Sequence, residues 1–161
     1  KSAMRRSEPR PRINVSGPRN IARKLLKDSG TIEVPVNLRT ILNYLKTRHD
    51  LEVWRFPFDK VDGLLVTIDG QSTIGFNPDT SWVRRRFTIA HEIGHLLLGS
   101  TCNNLDENAE AEANQFAAEL LMPLAFLKVD FPKERDLDKL SGRYIVSKIA
   151  LTRHLMECRL I

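Results

Sequence analysis

The chain has 161 residues, 25 of them Lys or Arg and 20 Asp or Glu, which gives a formal net charge of +5. Its length is typical of one domain, and its 42% hydrophobic and 28% charged residues exclude a disordered chain. The absence of an apolar run near ~20 residues, of a visible signal peptide and of more than two cysteines predicts a cytoplasmic protein without a membrane partner.

The positive charge is concentrated at the start of the chain. Residues 1–30 carry nine basic and two acidic side chains, a net of +7, so residues 31–161 carry a net of −2. We therefore predict a flexible basic arm over residues 1–17. Such an arm could be a solvated tail, or it could contact nucleic acid. The near-neutral remainder predicts no other direct contact with nucleic acid.

Two short helices are predicted after the arm. The first starts at Pro18 and ends at Ser29-Gly30, and the second follows an N-cap at Asn37. Their apolar residues recur at helical spacing: Ile21, Leu25 and Leu26 in the first helix, and Leu38, Ile41, Leu42 and Leu45 in the second.

Three β-strands are predicted next, over residues 51–56, 64–68 and 72–77. Asp69-Gly70 is a strong hairpin signal between the last two strands, and Asn77-Pro78-Asp79 is typical of a turn. We expect a small, mostly antiparallel meander.

The rest of the chain is predicted to be helical. One long helix runs from a cap at Thr80 or Ser81 to Gly99, another runs from about Asp106 to Pro123, and a shorter one follows. Residues 130–161 are predicted to form two short helices around a turn at Gly142. This pair has some likeness to a DNA-binding helix-turn-helix, but its nearly balanced charge argues against phosphate contacts.

The sequence His-Glu-Ile-Gly-His at residues 91–95 is a candidate metal-binding and catalytic motif. On a helix, His91 and His95 are one turn apart on the same face, so both imidazoles can bind one metal ion. Zinc lowers the pKa of a coordinated water, and Glu92 can take the proton as the water attacks a peptide carbonyl. Gly94 leaves room where a substrate or a strand could approach. Uncharged flanks favour this interpretation over two surface histidines.

A catalytic zinc ion needs a third protein ligand, and a carboxylate on the following helix is predicted to supply it. Glu110 and Asn114 are four residues apart and share a helix face. Glu110 is therefore the predicted ligand, although an acid in a first helical turn is also ordinary, and Glu112 is the alternative. Asn114 is predicted to accept the ring N–H of a ligand histidine, His91 in the first place.

Other residues leave alternatives open. Tyr144, His154 or one of Arg84–Arg86 could donate a hydrogen bond to the oxyanion beside the metal, and nothing local selects among them. Cys102 could contact the metal, but a buried thiol is the simpler interpretation. Two imidazoles and one carboxylate suit Zn²⁺ first, and Mn²⁺ and iron also fit.

Two stretches, RRRFTIAHEIGHLLLG and EAEANQFAAELLMP, resemble the ImmA/IrrE family of metallo-endopeptidases. The resemblance extends over about residues 20–155. It implies His91, His95 and Glu110 as metal ligands and Glu92 as the catalytic base. It also implies an α+β, gluzincin-like fold with the active-site helix under a small sheet, in a zincin-like domain over residues 18–129. The helical pair at 130–161 would pack on that domain or be appended to it.

The resemblance further implies a protein substrate. Members of the family characteristically cleave helix-turn-helix repressors or antitoxin-like regulators, and strand 72–77 would be the sheet edge to which an extended substrate adds. We therefore predict a metal-dependent endopeptidase whose substrate is a DNA-binding repressor. One alternative is a metal-binding regulator that binds a protein or DNA partner without cutting it. Another is a latent peptidase whose site is covered by the arm or by Cys102.

Overall fold

A computed structural model describes residues 16–99 and 106–161. Within these residues, seven α-helices and three β-strands confirm the predicted α+β class. In chain order they are α1 (Ser16–Asp28), α2 (Leu38–Lys46), β1 (Leu51–Arg55), β2 (Gly63–Ile68), β3 (Gln71–Phe76), α3 (Trp82–Leu98), α4 (Glu107–Leu121), α5 (Leu124–Lys133), α6 (Leu137–Tyr144) and α7 (Lys148–Glu157). Cys102 and nearly all of the predicted arm lie outside the described residues.

The helix ends follow the predicted capping residues. Ser81 accepts a hydrogen bond from the backbone N–H of Arg84, and Asn37 and Asp106 cap α2 and α4 in the same way. Gly99 ends α3 in the left-handed conformation, with φ 71°. None of the helices in the described residues is long and apolar enough to cross a membrane.

The sheet has three strands as predicted, but its topology differs from the predicted meander. The strand order is β1-β3-β2, with β1 parallel to β3 and β2 antiparallel to it. Positive φ angles at Asp69 and Gly70 form the β2–β3 hairpin. The predicted meander was wrong because β3, and not β2, is the central strand. In that position Ser72, Ile74 and Gly75 of β3 are buried. The pattern within one strand does not reveal which strand lies beside it.

The turn between the last two helices lies later than predicted. Gly142 is inside α6, and Ile145 ends that helix with φ 52°. The backbone N–H of Val146 donates to the carbonyl of Ser141, which closes the helix end as a glycine would at this position. Gly142 was misread because a glycine ends a helix only where the backbone turns left-handed.

One hydrophobic core joins the sheet to the helices from α1 to α7. Leu140, Tyr144 and Leu151 of the C-terminal pair are buried in the same cluster as Ile74 of β3 and Ile93 of α3. The pair therefore packs on the rest of the molecule, and the predicted boundary at residues 129/130 falls inside α5.

The helices α3 and α4 pack closely at Gly94. A Cβ atom there would lie 3.0 Å from Phe116 Cδ1 and 3.3 Å from both the Cα and the carbonyl oxygen of Ala113. Gly94 thus faces α4, not a strand or a substrate as predicted. Its missing side chain lets the helix with the histidines approach the helix with Glu110.

Candidate metal centre

Three potential metal ligands converge where α3 and α4 meet. The Nε2 atoms of His91 and His95 are 3.0 Å apart. Glu110 reaches across from α4, with one carboxylate oxygen 3.0 Å from His91 Nε2 and the other 2.7 Å from His95 Nε2. These three side chains form a group that could hold a metal ion, and they are the three ligands predicted from the sequence. Glu112, the alternative ligand, is not part of this group.

Asn114 orients the first histidine. Its Oδ1 lies 2.8 Å from His91 Nδ1, so the Nδ1–H donates to the amide oxygen and the Nε2 lone pair faces the other donors. Burial lowers the pKa of His91, and the neighbouring His95 lowers it further, against the opposing effects of Glu110 and Asn114. The lowered pKa favours the neutral imidazole, which is the form that binds a metal ion. Two imidazole nitrogens and one carboxylate fit a divalent cation such as zinc.

Glu92 lies beside this group without being part of it. Its side chain is buried, and no hydrogen bond joins its carboxylate to the part of the chain that the structure describes. Burial raises the pKa of Glu92 to about 7, and the negative charge of Glu110 adds to the effect. A carboxylate with a pKa near neutrality is well suited to accept and return a proton.

A cleft of about 430 Å³ opens over these residues. The α3 side of the cleft carries His91, Glu92 and His95, and the start of β2 forms the facing wall. Besides Glu92, the lining residues outside the metal group are Val61, Asp62, Gly63, Leu64, Leu65, Phe87, Thr88 and Asn114.

Gly63 is a residue of this wall that the sequence interpretation missed. A Cβ atom on Gly63 would lie 2.4 Å from Thr88 Cγ2 and 3.4 Å from Glu92 Cγ, so only glycine lets β2 approach α3 this closely. The available signal was a glycine at the very start of a strand, which often marks a close backbone approach.

The strand beside the cleft is β2, not β3. Because β3 pairs with both other strands, it has no free edge, and the prediction that substrate adds to residues 72–77 was wrong. Within the described residues, the strand next to the metal group is β2, which pairs with β3 on one side and with no strand on the other.

Tyr144 and His154 lie away from the cleft. The Tyr144 hydroxyl is buried and donates to Asp130 at 2.6 Å, and the buried His154 ring lies 3.0 Å from the carbonyl oxygen of Met122. Neither residue lines the cleft, so these positions do not suit an oxyanion donor. Both were candidates because chain position alone does not reveal the direction of a side chain on a packed helix.

The three arginines at the start of α3 separate in space. Arg84 pairs with Asp62 at the cleft wall, whereas Arg85 and Arg86 line a different cleft. Of the arginines proposed as oxyanion donors, only Arg84 is therefore tied to a residue of the cleft over the metal group.

A helix with His-Glu-x-x-His, a glutamate from the next helix and a small mixed sheet together define a zincin-like metallopeptidase domain. Residues 46–156 match the Peptidase_M78 family, described as the IrrE N-terminal-like domain. The chain belongs to this peptidase family, which confirms the resemblance seen in the sequence. No curated protein matches the chain at a significant level.

Proposed function

We propose that this protein is a zinc-dependent endopeptidase that hydrolyses a peptide bond in a protein substrate. The observation that carries the proposal is the convergence of His91, His95 and Glu110, with contacts of 2.7 to 3.0 Å, beside the buried Glu92, whose carboxylate forms no hydrogen bond with the described residues. These three side chains would hold the metal. When bound, zinc supplies a Lewis acid that polarises the scissile carbonyl and lowers the pKa of water toward neutrality.

The chain's own residues account for the proton transfers. Glu92 accepts a proton from the attacking water at a carboxylate oxygen and returns it to the amine of the leaving fragment. Its buried position keeps the pKa of the carboxylate close to neutrality, so that both transfers are feasible. Asn114 keeps His91 in one tautomer and one ring orientation throughout.

The substrate would bind as an extended segment along β2. The free backbone N–H and C=O groups of an edge strand can pair with an added strand, which supplies affinity that depends little on side chains. The cleft is lined by the start of the edge strand β2 and by α3. An extended loop or linker of a protein fits this arrangement better than a helix does. A DNA-binding repressor is the substrate that the family resemblance favours.

The proposal is tested by incubating the full chain, loaded with zinc or manganese, with the cognate repressor. We expect discrete fragments from the parent protein, and Glu92→Gln should slow their formation by about 10²- to 10⁴-fold, the range for losing a general base. Glu112→Gln is the matched control, since Glu112 is on α4 but outside the metal group. Cleavage by Glu92→Gln at the parent rate would show that the assigned base is wrong. Metal binding without fragments would favour a regulator that does not cut.

A further inference from the structure

A second cleft, larger than the one over the metal group, lies between α2, β1, the end of β3 and the first turns of α3. Its volume is about 790 Å³. We call it the basic cleft, because five of its lining residues are cationic and, among the described residues, no Asp or Glu lines it. The cationic residues are Arg39, Lys46, Arg55, Arg85 and Arg86.

Arg86 is the unusual member of this set. Its side chain is only 5% exposed, its Nη1 donates to the carbonyl of Val36 at 2.9 Å, and its Nε donates to the carbonyl of Ile145 at 3.3 Å. Its Nη2 is buried and has no hydrogen-bond partner within residues 16–99 and 106–161. A buried guanidinium is costly unless an opposite charge compensates it. Two neutral carbonyls leave that compensation incomplete.

The other cations of the basic cleft also lack acidic partners. Arg39, Lys46 and Arg55 form no ion pair with any described residue. Arg85 lies over the Trp82 ring at 5.6 Å, and its Nε is another buried donor without a partner in the described chain. Like charges gathered around one concave surface repel each other and attract anions. The neighbouring Arg84, in contrast, is paired with Asp62.

The basic cleft is separate from the metal centre. Arg85, Arg86 and Ile89 of α3 line the basic cleft, whereas Thr88 and His91 of the same helix line the other. The basic cleft reaches the β1 edge of the sheet, and the metal group lies beside the β2 edge. A ligand in the basic cleft would therefore not occupy the position of a peptide substrate.

We propose that the basic cleft binds a small phosphorylated molecule with a planar ring, of the size of a nucleoside diphosphate. Arginine forks match phosphate oxygens in pairs, which would supply the missing partner for this cluster. Trp82, which is 58% exposed, and Phe76 offer aromatic surface for a ring. The volume lies within the ~300–1,000 Å³ that is usual for small-molecule sites. This site goes beyond the proposed peptidase function and does not depend on it.

The test is isothermal titration calorimetry on the zinc-loaded full chain with ADP, inorganic pyrophosphate and adenosine. ADP and pyrophosphate should bind, and adenosine, which has no phosphate, should bind at least about 10-fold more weakly than ADP. The double variant Arg39→Gln/Arg55→Gln should weaken ADP binding at least about 10-fold. Both residues are exposed, so the variant should fold, which its thermal midpoint will verify.

The matched control is Arg153→Gln/Arg159→Gln, which removes the same charge from exposed positions outside the basic cleft. It should keep ADP binding within about 3-fold of the parent.

Equal losses of ADP affinity in both double variants would show that only the overall charge of the protein matters, and would overturn the proposal. Absence of ADP and pyrophosphate binding at about 1 mM would overturn it as well. So would binding that persists at the parent affinity in Arg39→Gln/Arg55→Gln, since the exposed arginines of the basic cleft would then not hold the phosphates. A poly-glutamate peptide that binds where ADP does not would assign the cleft to acidic peptides instead.

Discussion

Asn114 Oδ1 lies 2.8 Å from His91 Nδ1, although the two residues are 23 positions apart and on different helices. The contact makes the orientation of a potential metal ligand depend on how α3 packs against α4. Since Gly94 allows this close packing, the geometry of the metal group depends on the contact between the two helices.

The first prediction concerns this contact. Asn114→Ala should weaken zinc binding by about 10- to 100-fold, because His91 loses the acceptor that holds its ring and its tautomer. Asn114→Asp should retain affinity, since a carboxylate accepts the same N–H. Competition against a chromogenic chelator measures the affinities. Gln115→Ala is the control, because Gln115 bonds to Glu157 and lies outside the metal group. Equal affinities in Asn114→Ala and the parent would contradict the assignment.

The second prediction compares two glycines in helices. Gly94→Ala should destabilise the protein by about 1–3 kcal/mol, because the new methyl group would press against Phe116 and the backbone of Ala113. Gly142→Ala should instead stabilise it by about 0.5–1 kcal/mol, since no atom lies within 4 Å of that Cβ position and alanine favours helix. Urea unfolding gives both free energies. If Gly94→Ala also stabilised the protein, helix propensity alone would account for both variants, and the predicted overlap with Phe116 and Ala113 would be contradicted.

A third prediction concerns the wall of the metal cleft. Gly63→Ala should cost about 1–3 kcal/mol of unfolding free energy, because its methyl group would overlap Thr88 Cγ2. Thr88→Ser removes that methyl group and keeps the hydroxyl. In the double variant we therefore expect about 1 kcal/mol or more of favourable coupling. If the changes in unfolding free energy were strictly additive, the close contact between Gly63 of β2 and Thr88 of α3 would be contradicted.

The fourth prediction is a pH dependence of stability from a buried histidine. His154 Nε2 lies 3.4 Å from Glu119 Oε2, and Cys158 Sγ lies 3.8 Å from Nδ1. Burial alone would lower the pKa of His154, but the neighbouring Cys158 thiol and Glu119 carboxylate outweigh it and raise the pKa to about 9. Because the pKa is raised in the folded state, protonated His154 contributes its full stabilisation at pH values below its ordinary pKa of 6.5. This contribution is lost as the pH rises through about 9.

Between pH 6 and pH 10 the parent should therefore lose up to about 3 kcal/mol of unfolding free energy that His154→Gln does not lose. Denaturant unfolding at several pH values measures both proteins, and their difference isolates this residue from other titrating groups. His49→Gln, at an exposed position, should follow the parent. Identical pH profiles for the parent and His154→Gln would rule out a charged His154.

Local residue choice was enough to predict the helices that form the site. Ser81 and Gly99 delimit α3, and Asp106 caps α4, because each acts on backbone groups a few residues away. The spacing of His91 and His95 likewise follows from one turn of helix. The turn at Ile145 could not be predicted in this way, since a β-branched residue adopts a positive φ only where the surrounding packing holds it there.

Local sequence patterns predicted the helices, the three strands and the histidines of α3, and favoured Glu110 on the next helix, because these depend on residues close together in the chain. The α+β zincin-like class was implied by the family resemblance. The position of β3 between β1 and β2 was decided by tertiary structure, as was the orientation of Tyr144 and His154 into the core. The basic cleft also arose there, because Arg39, Arg55 and Arg86 come from separate elements. Contacts between residues distant in the chain depend on how the elements pack, and a pattern within one element does not encode that.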